Sequence, residues 1–421
     1  MEENFMVEYW KKAAVVGGLG AWSDAMDSLL MAHTIGMISA TWRLGPEIVG
    51  ILVGVWGIGS VISALISGPI IDAFGRKKTW VLANAITGII YIYLAMAPNE
   101  WYFMAGRLLT GIFALMSTLA ALYIYEEAPK DRRGFAAGVS GALGLLGALN
   151  SSGMLIVASV TGIGWRGIYW YGVAWNFFVA ILGLVALKES SLWLERKKLM
   201  AEGKISKQRV PFRQLFAPET RRRFVLSALV YVCIATLLGL PINFRSYLEL
   251  TVLQFPYELT GALGIVMTLV GTVGAFVWPR LSDKIGRVKT LIAISIVGLI
   301  GAQLCFRTNI LVGVGATLPV IAFYLLFWCV WVFGWNGGTN TERAWSSELF
   351  PTSIRGTATS LRTIIGGLFA AFSQMITGFL AAYLGGLMTV YWLLTAIGGI
   401  GAILLLWLGR APETKGIKME A

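Results

Sequence analysis

The chain has 421 residues, 57% hydrophobic and only 13% charged, with a formal net charge of +12 and a mean hydropathy of +0.72. That balance excludes an ordinary soluble domain, because apolar runs of the ~20 residues needed to cross a bilayer recur throughout. The three cysteines, Cys233, Cys305 and Cys329, all fall within such runs and read as small core residues, not as a disulfide framework.

Twelve runs follow in chain order: 13–38, 47–72, 78–97, 101–126, 134–161, 165–188, 222–247, 258–281, 289–307, 314–342, 356–384 and 386–409. The first is too long, and too polar in its middle, for a cleaved signal peptide. Before it stands MEENFMVEYWKK, a tail of mixed charge. The largest interruption, rich in Lys and Arg, lies between the sixth and seventh runs. The expected fold is therefore an all-α membrane protein with twelve transmembrane helices in two pseudo-symmetric six-helix bundles. The bundles are expected at 1–188 and 222–421, joined by a cytoplasmic linker at 189–221 with short helices such as Leu192–Glu202.

Charge placement orients these spans. With the N-terminus in the cytoplasm, all of the 34 Lys and Arg except Arg43, Arg107, Arg166, Arg245, Arg307 and Arg343 fall in cytoplasmic tails, loops or adjoining helix ends. That is the positive-inside bias, which puts both termini in the cytoplasm and the protein in the cell membrane. The basic excess then faces anionic lipid headgroups, and nucleic acid is not an expected partner. A monomer is expected.

The first span carries two carboxylates, Asp24 and Asp27, in GAWSDAMDSLLMAHT. A charged side chain at the bilayer centre costs about 2.5–3.5 kcal/mol on insertion scales and is usually functional. Three residues apart, the two side chains share one helix face and can share a proton, a cation or an arginine. His33, the only histidine, lies on another face and is expected to pack.

The halves echo one another. GPIIDAFGRKK, with Asp72, Gly75 and Arg76, follows span 2; PRLSDKIGRVK, with Asp283, Gly286 and Arg287, follows span 8. EEAPKDRRG, with Glu126 and Arg133, follows span 4; ELFPTSIRG, with Glu348 and Arg355, follows span 10. Both pairs are separated by about half the chain, the pattern of a two-fold repeat that alternating-access transporters use. An Asp at a helix end, a Gly permitting a tight turn and a carboxylate-bridging Arg suit a cytoplasmic gate that latches one of two conformations.

These residues resemble the major facilitator superfamily, and within it the sugar-porter and metabolite–proton symporter branch. GPIIDAFGRKK is similar to the superfamily loop after span 2, and Glu126–Gly134 and Glu348–Gly356 to its E-x-x-P-x-x-x-R-G repeats. ESSLWL at Glu189–Leu194 and PETKG at Pro412–Gly416 resemble sugar-porter motifs, with Lys188 where a Pro is usual. Asp24-Ala25-Met26-Asp27 is similar to the D-G-[FY]-D of organic-acid and aromatic-acid symporters, with Ala25 in place of Gly. The Q-Q-x-x-G-x-N of sugar porters is missing from span 7, and Arg343 stands where hexose porters place a pocket Trp. The resemblance implies the superfamily fold and transport by alternating access. Its departures favour an anion over a hexose.

The same resemblance assigns Asp27 to proton coupling with Arg107 of span 4. At ~1.5 Å per residue, in a core of roughly 30 Å, the two reach similar depths from opposite ends. Asp24 is expected as a second proton site, a substrate ligand or a tuner of Asp27. In the second half, Asn336 and Asn340 share a face of span 10 with Trp331 and Trp335 one turn away, a surface suited to a small polar ligand with an apolar side. Arg343 is expected at the substrate site or the inner gate, and Asn243 and Arg245 beyond Gly239 and Pro241 at the outer end.

No Walker loop, HExxH, GxSxG or cysteine–histidine cluster is present, so neither catalysis nor a cofactor is expected and a gradient must drive transport. The expected function is proton-coupled symport of a small polar organic solute, a carboxylate in preference to a sugar. The alternatives are a proton-linked monosaccharide porter and, from another class, a non-transporting membrane sensor.

Overall fold

The computed structural model describes residues 2–120, 127–129, 132–204 and 216–415. The described residues are helical almost throughout, as hydrocarbon demands of a chain whose backbone donors and acceptors must pair within each segment. In order the helices are α1 (Glu2–Trp42), α2 (Pro46–Phe74), α3 (Arg76–Ala95), α4 (Glu100–Ala120), α5 (Arg133–Thr161), α6 (Gly164–Ala186) and the short α7 (Ser191–Ala201). Then come α8 (Pro218–Ile234), an irregular segment to Val252, α9 (Tyr257–Ile285), α10 (Arg287–Cys305), α11 (Leu318–Glu348), α12 (Thr352–Tyr383) and α13 (Leu387–Trp407).

Among the described residues, ten of these stretches are long and apolar enough to cross a membrane. The other two expected spans are α1 and α4. Lys11, Lys12, Asp24 and Asp27 interrupt α1, and the expected fourth span runs on into 121–126, outside the described residues. The charged tail is no separate element; helix α1 begins at Glu2. Thus the chain has the twelve-helix fold expected of it.

Two compact units are present: residues 1–34 with 55–209, and residues 35–54 with 210–421. In the first, α3 packs along α6 and α4; in the second, α10 packs along α13 and α11, the same pairing one repeat later. Lipid tails are as apolar as Leu, so close packing, and not exclusion from water, holds such helices together. Gly183 and Gly172 of α6 accordingly receive the rings of Trp80 and Tyr91 from α3. In the second unit the Gly50 backbone abuts that of Gly378, and Gly36 N–H donates to Ser246 Oγ at 3.1 Å.

The irregular segment departs from α geometry where Gly239 and Pro241 interrupt it. A π turn at Ala235–Gly239, a 3₁₀ turn at Leu240–Phe244 and a second π turn at Leu248–Val252 replace regular winding. Gln374 Nε2 donates to the Leu240 carbonyl at 3.1 Å, and Trp331 Nε1 to Leu237 O at 2.8 Å, satisfying acceptors that the break exposes.

Candidate functional site

In the first unit α1 presents Asp27 toward α3 and α6. Asp27 is buried, and its Oδ1 accepts from Tyr91 Oη at 2.9 Å and from Asn176 Nδ2 at 3.3 Å. Oδ2 has Asn176 Nδ2 at 3.4 Å. The Asn176 amide is itself fixed, donating to Gly172 O at 3.0 Å and accepting from Ser23 Oγ at 3.2 Å. Arg107 of α4 is buried within electrostatic reach of both Asp27 and Tyr91. No hydrogen bond or ion pair joins Arg107 to Asp27 among the described residues, and the Arg107 Nε–H has no partner there. The two residues that the sequence pairs by depth thus share one polar cluster without touching. Asp24, one turn away, is half-buried. His33 lies between Ser151 Oγ and Ser152 Oγ of α5, at 3.0 and 3.3 Å from its ring nitrogens.

Tyr91 and Asn176 escaped the sequence reading. Their signal was available: an Asn in the middle of an apolar run is as conspicuous as an acid, and helices whose polar side chains face inward pair them.

The paired loops take on a definite form. Arg76 Nη1 donates to Asp72 Oδ1 at 3.3 Å. Arg287 Nη1 donates to Asp283 Oδ1 at 2.5 Å, while its Nη2 and Nε reach Glu348 at 3.2 and 3.4 Å. Thr414 Oγ1 donates to the same Glu348 at 2.5 Å. Arg355 turns to the Phe350 carbonyl at 3.3 Å. Glu126 lies outside the described residues, and Arg133 is placed only as the first residue of α5.

Each loop also has a carboxylate cap. Glu189 Oε1 accepts from the N–H groups of Arg76 at 2.7 Å and Lys77 at 3.0 Å; Glu413 accepts from Arg287 N at 2.7 Å and Val288 N at 3.1 Å. Both serve the orphan donors and the positive end of a helix. Gly75 (φ 96°) and Gly286 (φ 107°) precede the capped helices, and a Cβ at either position would strike the capping carboxylate. Glu189 and Glu413 belong to ESSLWL and PETKG, so the two tail motifs perform one physical task in the two halves.

A cavity of about 170 Å³ opens in the second unit among α8, the irregular segment, α11 and α12. Of the residues expected at the substrate site, Trp335 and Asn243 line it. Trp331 is buried and does not line it, Asn336 faces Gly271 of α9, and Asn340 and Arg343 are exposed. Tyr231, Thr339, Glu342, Phe369, Ser373 and Gln374 also line it. Glu342 is buried and bonded to Arg362 Nη1 of α12, whose guanidinium carbon lies 5.3 Å from the centre of the Tyr231 ring. A second buried pair joins Arg245 to Glu249 through two hydrogen bonds, at 2.7 and 2.9 Å, with Tyr324 Oη also donating to Glu249 at 3.1 Å. This pair ties the irregular segment to α11.

The family model described as Major Facilitator Superfamily matches residues 17–338. Among curated proteins, "Sugar transporter ERD6-like 8" of Arabidopsis thaliana is 25% identical over 394 residues, 86% of this chain and 81% of that protein. The "Arabinose-proton symporter" of Bacillus subtilis is 24% identical over 444 residues, 96% of this chain and 92% of that one. Among solved structures, a D-xylose-proton symporter matches with a TM-score of 0.74 at 19% identity, covering 97% of this chain and all of that one, a likeness of fold.

Proposed function

This chain belongs to the major facilitator superfamily, and from that premise we propose that it is a proton-coupled symporter of a small polar organic solute. The solute is a carboxylate in preference to a neutral sugar, and transport proceeds by alternating access. We place the protein in the cell membrane as a monomer, with both termini cytoplasmic and bundles at 1–188 and 222–421 joined through 189–221.

One observation carries the reading: Asp27 is buried among neutral donors while the buried Arg107 lies near it without a bond. A buried acid whose hydrogen-bond partners among the described residues are a phenol and an amide can hold its proton on Oδ2. Were Arg107 to close on it, the charged form would be favoured and the proton released. A symporter needs such a bistable contact, since solute and proton must leave together. The proton-symport name of one relative supports the same coupling.

The cavity of the second unit is the solute site in this reading, with Asn243, Trp335 and Gln374 on its wall. The Asp72–Arg76 and Asp283–Arg287–Glu348 clasps serve as the cytoplasmic gate, together with Gly75, Gly286, Glu126, Arg133 and Arg355. A sugar porter is the second reading, favoured by the names of the relatives. Purified protein in liposomes, loaded at one pH and diluted into a lower one, decides between them. Accumulation of a labelled monocarboxylate, competed by other acids and not by pentoses or hexoses, is the expected result. Competition by sugars alone would establish the second reading.

A further inference from the structure

The charge arrangement at the cavity wall is unusual for a site that merely hydrogen-bonds a neutral solute. Among the described residues, Glu342 is the only charged side chain on the wall, and it is 1% exposed. Its Oε1 bonds Arg362, itself 6% exposed. A third charged group, Arg343, stands next to it in the chain and within electrostatic reach of both Glu342 and Tyr231. Ser346 on α11 and the Tyr231 hydroxyl on α8 also interact with the carboxylate. Glu342 on the cavity wall thus has one buried cation bonded to it, Arg362, and an exposed one, Arg343, nearby. Gln374 Oε1, on a side chain 3% exposed, is a buried acceptor with no partner among the described residues, and Gln374 lines the same cavity.

We infer that Glu342 and Arg362 form an exchangeable pair in which a solute carboxylate displaces Glu342 from Arg362 as Glu342 takes up a proton. The inference rests on the proposed solute cavity and deepens it. The step balances: one proton adds to the Glu342 carboxylate, the Glu342–Arg362 ion pair breaks, and a solute carboxylate–Arg362 pair forms. One proton enters per anion, so the buried charge does not change. That equality is what makes the exchange feasible, because an unpaired charge at this depth is far costlier than a replaced partner. The guanidinium is suited to the task, since its planar fork accepts a second carboxylate in the geometry of the first. The protonated Glu342, now a donor, and the orphan Gln374 oxygen are placed to complete the recognition of a solute bearing a carboxylate and a hydrogen-bond donor. Tyr231, Trp335 and Phe369 suit an apolar or aromatic body.

The test is equilibrium binding to the full chain in lipid nanodiscs, with benzoate and benzamide as probes of one size that differ in charge. Benzoate is expected to bind more tightly than benzamide, and its affinity to rise about tenfold for each unit by which pH falls, the slope of one linked proton. Infrared difference spectra on adding benzoate should show a protonated-carboxyl band that Glu342→Gln abolishes. The same variant should bind benzoate with no pH dependence. Because Arg362→Gln alone leaves a buried carboxylate unpaired and can unfold, the double variant Glu342→Gln/Arg362→Gln provides the control. It should keep its thermal stability and lose the preference for benzoate.

Equal binding of the two probes, a pH-independent wild type, or a preference retained by the double variant would each overturn the exchange. Failure of acetate, lactate and benzoate alike to bind would do the same. Binding at equilibrium needs no gradient, so these results are independent of proton-driven accumulation. Linked binding without uphill uptake would defeat the symport reading and leave the exchange standing; uphill uptake with unlinked binding would do the reverse.

Discussion

Tyr91 Oη donates to Asp27 Oδ1 at 2.9 Å, while no hydrogen bond or ion pair joins Arg107 to that carboxylate among the described residues. The contact links α1 to α3, while Arg107 on α4 stays close but unbonded. In the proposed symport, proton coupling would turn on which neighbour holds the acid.

Asp27→Asn imitates an acid that never gives up its proton. It should lower uphill accumulation driven by a pH gradient to what a Glu342-linked proton alone supplies, while leaving solute exchange across a membrane with no gradient. Counterflow and gradient-driven uptake in the same liposomes separate the two. Retention of full accumulation would move the proton to Asp24.

Arg107→Ala and Tyr91→Phe should act in one direction. Each removes a group that favours the carboxylate over the acid, a nearby cation in one case and a donor in the other. The pH profile of uptake should shift upward in both. A profile moved downward by either substitution contradicts the role given to that group.

Glu189 and Glu413 should prove equivalent in stability. Replacing either by Ala removes a carboxylate from a helix N-terminus and should cost about 1 kcal/mol. Thermal unfolding in detergent would register each loss, with Gln substitutions milder because the amide oxygen still accepts. Gly75→Ala should cost at least as much, combining a φ of 96° with a clash against Glu189. Stability unchanged by Glu413→Ala would remove the cap from the account.

The clasps call for a conformational readout. Asp72→Asn, Arg76→Ala and Arg287→Ala should alter the populations of the conformers, with Arg287→Ala strongest because it releases both Asp283 and Glu348. Solute binding should persist. Distances between spin labels on the two halves report the populations, and identical distributions in all three variants would leave these residues as topology signals only.

Much of the fold was legible in the chain itself. Hydrocarbon leaves an unpaired backbone no solvent, so a run of ~20 apolar residues has few structures open to it besides a helix. Two loop motifs repeated half a chain apart then imply two related bundles. The burial of Asp27 and Arg107 near one another was foreshadowed for the complementary reason, since a charge in an apolar run is costly and turns inward. The irregular winding after Ile234 was foreshadowed by Gly239 and Pro241.

The partners were decided only in three dimensions. Asn176 reaches Asp27 across 149 residues, and Glu189 caps Arg76 across 113. Glu342 and Arg362, on consecutive helices, gave no pattern that announced a pair. Nor did any sequence period separate Trp335, on the cavity wall, from Asn340, which is exposed. Hydropathy fixes how long a helix is and that it crosses the membrane. Its rotation about its own axis, which selects the side chains that meet, is set by the close fit of small residues such as Gly172 and Gly183 against the rings of a neighbouring helix.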